Sequence, residues 1–260
     1  MNPSPAHTSL PPILVVGDGR VGTTISRAAS RVQIEVQLAG RDGLESAAAG
    51  AGVALLCVPD SEIESACGTV AGAAPELRFV GHTSGATSLD ALAAARERGA
   101  ATFSLHPLQT IPDGSADLLG APAAVAGSDP EALAMARQLA EALGMRPFEV
   151  PEEARAAYHA AASIASNFLV TLEESAVELL RDAGIEDGRE LLASLVLRSA
   201  ANWAEAGEDA LTGPIARGDE ATVTRHLKAI AETSPELSDL YRALAERTQA
   251  LAARRESVSA

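Results

Sequence analysis

Seven short apolar runs, at residues 13–16, 35–39, 53–58, 77–81, 101–105, 123–126 and 147–150, punctuate the first part of the chain. Most are separated by Ala-rich stretches whose apolar positions recur at helical spacing, so strands and helices alternate. Such alternation implies right-handed crossovers and a doubly wound, mainly parallel sheet with helices on its faces, an α/β fold. Near Pro151 the pattern stops. Beyond it Leu, Ala and Val recur every three or four positions, which predicts helices over 152–183, 189–206, 219–232 and 234–254, with Asp219 and Ser234 as N-caps. The expected plan is a loose tail at 1–12, an α/β domain at 13–151 and an all-helical domain at 152–260.

Chemistry enters at the first strand-to-helix turn, Gly17-Asp18-Gly19-Arg20-Val21-Gly22, which directly follows the apolar run Ile13-Leu14-Val15-Val16. Glycines in this context form a dinucleotide cradle: Gly17 permits the tight turn, Gly19 leaves the backbone bare for a pyrophosphate, and Gly22 lets helix and strand pack closely. The helix N-terminus then faces the phosphates. Where the second strand ends, NAD-binding chains place an acid on the ribose. Here the residues are Gly40 and Arg41, and a planar guanidinium suits a 2′-phosphate, so NADP(H) is the expected cofactor, with Arg20 assisting. Asp18 and Val21 complete the loop, and Val58, Pro59 and Thr83, at neighbouring strand ends, are expected to border the nucleotide.

Composition narrows the partners. The 260 residues carry a formal net charge of −15, which argues against nucleic acid and against anionic membranes. An anionic cofactor therefore needs local arginines. Only two cysteines are present, Cys57 and Cys67, without metal-ligand spacing, and Cys57 sits in an apolar strand, so reduced buried thiols and no metal are expected. No run is long and apolar enough to span a bilayer, and residues 1–12 lack a signal-peptide pattern, so a cytoplasmic protein is expected.

Other candidate residues cluster at later strand ends. His106, before Pro107, can give or take the proton that accompanies hydride transfer to a carbonyl, and His82, Thr83 and Ser84 close the preceding strand. Thr83 and Ser84 can donate to a carboxamide or a substrate oxygen, and equally can cap a turn. On the helix after Glu152, His159, Ser163 and Asn167 recur every four residues and form a polar stripe on an otherwise small and apolar helix, as a substrate cleft would require. Within Thr212-Gly213-Pro214-Ile215-Ala216-Arg217-Gly218-Asp219, turn and cap chemistry explain everything but Arg217, a candidate clamp for a substrate carboxylate.

Taken together, the glycine loop, Leu105-His106-Pro107-Leu108-Gln109-Thr110, Tyr158-His159 with Asn167-Phe168, and Thr212-Gly213-Pro214 with Arg217-Gly218-Asp219 resemble a bacterial family of Rossmann-like proteins with a C-terminal helical domain of unassigned function. The plan is similar to the 6-phosphogluconate dehydrogenase-like superfamily, which includes ketopantoate reductase, pyrroline-5-carboxylate reductase and prephenate dehydrogenase. The resemblance implies NADP-dependent reduction of a small carboxylate or keto acid, with ketopantoate first among candidates, in a homodimer built through the helical domain. Ser84 and His106 look like the serine and histidine that prephenate dehydrogenases set against the substrate hydroxyl, which keeps a prephenate-type dehydrogenase as an alternative. Ketopantoate and hydroxyacid members place a Lys four residues before a helix Asn; Asn167 matches, and the Lys position is Ser163. That departure leaves His106 or His159 to handle the proton, or else a nucleotide sensor without catalysis.

Overall fold

The computed structural model describes residues 10–40 and 50–259. It divides into two compact units, Met1–Ser163 and Ile164–Ala260. The first unit holds a seven-stranded sheet of order β2-β1-β3-β4-β5-β6-β7, formed by Ile13–Val16, Val36–Ala39, Val53–Leu56, Phe79–His82, Ala101–Pro107, Pro122–Gly127 and Arg146–Glu149 in chain order. All neighbouring pairs are parallel except β5 with β6. The expected α/β class and mainly parallel sheet are what the structure shows.

Strand periodicity builds two cores. Ile13, Val15, Val53, Leu55, Phe79, Phe103 and Leu105 face one side, under helices α1 (Arg20–Arg31) and α4 (Pro130–Ala142), while Leu14, Val16, Ala54, Leu56 and Val80 face the other, under α2 (Ile63–Ala73) and the short α3 (Ala93–Arg96). Each buried Leu or Val contributes about 1.5–3 kcal/mol, so the sheet is a rigid base for residues at its edge. Gly81 makes room for the largest of these side chains: a Cβ there would lie 2.5 Å from the Phe103 ring.

Several boundaries differ from the sequence expectation. The single helix expected over 152–183 is a 3-10 turn, Glu152–Ala154, followed by α5 (Arg155–Ala165) and α6 (Asn167–Asp182), because Ser166 leaves helical geometry at φ −121 and ψ −71. The stripe of His159, Ser163 and Asn167 is thereby broken, and the helix is not buried: Ile164 is 62% and Phe168 55% exposed. The first unit runs to Ser163 rather than Pro151, since Arg155 and Tyr158 of α5 hydrogen-bond to side chains of β5. At the other end, Leu10 packs on the core and the Pro12 carbonyl accepts from the Gly52 N–H, while residues 1–9 lie outside the described ones.

The second unit comprises α6, α7 (Gly188–Ala206), α8 (Glu220–Thr233) and α9 (Ser238–Ser259). Asp219 caps α8 as expected, accepting from the Thr222 N–H at 3.0 Å. Ser234 does not cap a helix; its hydroxyl donates to the Asp182 carboxylate at 2.8 Å. No described helix is long and apolar enough to cross a membrane.

Candidate functional site

The glycine loop joins β1 to α1 at the carboxyl edge of the sheet. Gly17 has φ +105, and a Cβ there would lie 2.5 Å from the Cys57 carbonyl oxygen, so no other residue fits. At Gly22 a Cβ would overlap the Gly17 carbonyl oxygen, which fixes the close approach of helix to loop. Gly19 is different: nothing lies within 4 Å of its Cβ direction. It is also the N-cap of α1, with no side-chain cap and no acid in the first turn. The first N–H groups of α1 are left to an external acceptor, so the cradle fits a nucleotide pyrophosphate.

Around this cradle stand the other residues singled out by sequence. Arg20 opens α1 and is exposed, while Val21 packs against the core. Val58 borders the loop, its Cγ1 3.2 Å from the Cβ direction of Gly17, and Pro59 is exposed beside it. Thr83 is buried and donates to the Leu56 carbonyl. Gly40 follows β2, with the Asp18 carboxylate against it. Arg41 lies outside the described residues. The Cys57 thiol, behind the loop, is pushed up to about 12 by burial and stays protonated.

Further along the same edge, β4 ends in His82 and β5 carries His106 just before its last residue, Pro107. His106 Nδ1 lies 2.7 Å from the Tyr158 hydroxyl, and its ring meets those of Tyr158 and His159 edge-on at 5.6 and 5.9 Å between centroids. Phe148 packs edge-on against Tyr158 from β7. The loop after β4 passes directly over the two histidines, which requires Gly85: a Cβ there would be 2.7 Å from His159 Nδ1 and 2.9 Å from His106 Cε1. Burial first, then His159 and Arg155, lowers the His106 pKa to about 4, against the opposing pull of Asp60. Burial raises Tyr158 to about 12. At neutral pH the pair is therefore uncharged, and His106 is not the near-neutral titrating group that the sequence suggested.

A buried polar layer supports this pair. Arg155 is 4% exposed; its guanidinium donates to the Ser104 hydroxyl at 3.0 Å and pairs with Glu152 at 3.3 Å. His82, in register with Ser104 on the adjacent strand, is fully buried, and neither ring nitrogen makes a hydrogen bond; burial and Arg155 lower its pKa to about 4, although the nearby Ser88 carbonyl favours the charged form. Ser84 sits in a turn: its hydroxyl donates to Thr87 Oγ1 at 2.9 Å and accepts from the Ala86 and Thr87 N–H groups. Those bonds are the turn-capping role, with no proton left to give a ligand. Ser163 is half-buried on α5, Asn167 is the exposed first residue of α6, and Arg217 is exposed in the loop before α8, the last two in the second unit.

Tyr158 belongs to the residues that carry the family resemblance but drew no role from the sequence, and Arg155 drew none either. An aromatic and a charge on an Ala-rich helix carry no signal of their own, although Glu152 and Arg155 at i, i+3 mark an ion pair.

Comparison with known proteins agrees with this architecture. Residues 39–107 match the model of a Rossmann-like domain, and residues 121–248 that of a domain of unknown function, DUF2520. The chain thus carries a Rossmann-like segment followed by a DUF2520 segment. A Bacteroides fragilis protein described as an NADP oxidoreductase superposes with a TM-score of 0.75 at 21% identity, covering 93% of this chain and 98% of that one. A Thermotoga maritima protein gives 0.71 at 22% identity, covering 94% and 99%. Plasmodium falciparum pyrroline carboxylate reductase, solved with NADP bound, gives 0.60 at 14% identity, covering 94% and 99%. These are likenesses of fold. No curated protein matches the chain.

Proposed function

We propose that this DUF2520 protein is an NADP(H)-dependent oxidoreductase that reduces a small 2-keto acid or related carbonyl compound, with ketopantoate the first candidate. One observation carries the reading: a bare glycine cradle and an uncharged His106–Tyr158 pair stand along one edge of a single sheet. The NADP-linked proteins that share the fold support it. Arg20 and Arg41 hold the adenosine end. When bound, the reduced nicotinamide supplies the hydride that adds to the carbonyl carbon.

The proton is then the task of the chain's own residues. Tyr158 gives its hydroxyl proton to the substrate oxygen, the His106 Nδ1–H stabilises the phenolate that remains, and solvent restores the tyrosine proton. Burial, then His159 and Arg155, keep His106 neutral, and the Arg155 charge biases the site toward an anionic substrate. His159 and Ser163, on the same helix as Tyr158, orient the substrate; Asn167 is assigned the same role from the family resemblance, and Arg217, which turn and cap chemistry leave over, is assigned the substrate carboxylate. Ser84 is fully engaged in its turn, which weighs against a prephenate-type dehydrogenase built on a Ser84 and His106 pair.

Titration of the purified protein with NADPH and NADH, followed by nicotinamide fluorescence, tests the reading. Tighter binding of NADPH, lost in Arg41→Ala, and turnover of keto acids beginning with ketopantoate are expected. Tight binding without hydride loss across the panel would leave a nucleotide sensor, and binding of neither nucleotide would overturn the cofactor assignment.

The second unit carries a further proposal, a homodimer. Among its described residues the only buried apolar side chains are Ile230 and Ala245, while Val170, Leu195, Leu197 and Trp203 are 63%, 63%, 72% and 66% exposed. Exposed apolar area of this kind marks an interface, and a second copy of the chain supplies a matching face. Sedimentation at micromolar concentration is expected to give a dimer mass; monomers alone would remove the proposal.

A further inference from the structure

We propose that Asp18 sets the choice made at the ribose end of the nucleotide, accepting from a free ribose hydroxyl and opposing a 2′-phosphate. The inference rests on the dinucleotide reading of the glycine loop. In this fold the adenosine ribose is read at the carboxyl end of the second strand, where an acidic residue takes the hydroxyls. Here that position is Gly40, with no side chain. The acid arrives from the other side. The Asp18 carboxylate reaches across from the glycine loop, with Oδ2 3.0 Å and Cγ 3.4 Å from the Cβ direction of Gly40. It fills the place that a side chain at the end of β2 would take.

Asp18 is exposed, and among the described residues no donor hydrogen-bonds its carboxylate. Both oxygens are therefore available to a ligand. A carboxylate accepts strongly from a hydroxyl, whereas a 2′-phosphate in its place brings like charges together in a chain already at −15. The loop does not depend on this side chain for its shape, because Thr23 Oγ1 donates to the Asp18 main-chain carbonyl at 3.1 Å. Asp18 and Arg41 thus act in opposite directions, and discrimination is the difference between them.

The experiment compares wild type, Asp18→Asn and Asp18→Ser by nicotinamide fluorescence with NADPH and NADH, and by displacement with 2′,5′-ADP and with ADP. Removing the charge is expected to raise the preference for NADPH over NADH by about tenfold, chiefly through tighter NADPH binding, and to move 2′,5′-ADP against ADP in the same sense. A ratio unchanged in both variants, whether the two affinities shift together or not at all, overturns the inference. Failure of the wild type to bind either nucleotide overturns the dinucleotide reading and this inference with it.

Discussion

His106→Asn is expected to lower kcat for the keto-acid reduction by about two to three orders of magnitude, while the Kd for NADPH stays within about twofold. The split follows from placement: His106 touches Tyr158 and His159, at 2.7 Å from the Tyr158 hydroxyl, and no residue of the glycine loop is among its hydrogen-bond partners. Tyr158→Phe is expected to lose a similar factor, and the double variant little more than either single one, because the two groups act as one donor. Full turnover in His106→Asn would remove the assignment. The pH profile gives an independent reading. With the His106 pKa lowered to about 4, its ring is neutral above that value, so the rate is expected to be flat from pH 5 to 8, with no limb near the ordinary histidine value of 6.5. Linkage has the same sign. The unfolded chain takes up protons on His82 and His106 below about pH 6.5 and the native state only near 4, so stability is full above 6.5 and falls as the pH drops through that window. A rate limb at 6.5 would mean that the pair is not held neutral.

The second large effect is steric. Gly22→Ala places a methyl on the Gly17 carbonyl oxygen and 3.3 Å from the Cys57 Cβ, neither of them the tip of a flexible side chain. The loop must move, at a cost of about 1–3 kcal/mol of stability, and the cradle is lost with it. NADPH affinity is expected to fall at least about a hundredfold, since a helix N-terminus out of line no longer presents its N–H groups. Gly68→Ala is the control: Gly68 lies within α2 with open space around it, so the change is expected to stabilise by about 0.5–1 kcal/mol and leave binding untouched. Fluorescence titration and thermal unfolding of both variants check the pair, and wild-type affinity in Gly22→Ala would refute the assignment of the loop.

Much of this was legible one residue at a time. Ile13 to Gly22 announces its strand, turn and helix because each position answers a local demand: apolar side chains for a strand buried on both faces, glycine where φ is positive or another backbone intrudes. Asp219 was legible as a cap for the same reason. Ser234 was not, because its hydroxyl takes a partner in Asp182, 52 residues away, and no local rule contains that distance. The roles of Ser84 and His106 lay between these cases. Each was marked by type and position, but the turn that occupies Ser84 and the burial, with His159 and Arg155 behind it, that holds His106 neutral come from residues whose approach is a property of the fold.

By itself the sequence determined the α/β class, the order of strands along the chain, the glycine turn and the strand ends where the candidate residues stand. These follow from periodicity and backbone sterics, which act within a few residues. Only the tertiary structure decided that Tyr158 and Arg155 are set against β5, that Gly85 must be bare for two histidines to meet, that Ser166 breaks the polar stripe, and that the Asp18 carboxylate lies against Gly40 after β2. Those outcomes depend on which side chains the sheet and its crossovers bring within about 3 Å, where hydrogen bonding and desolvation set charge, and chain separation has no bearing on it.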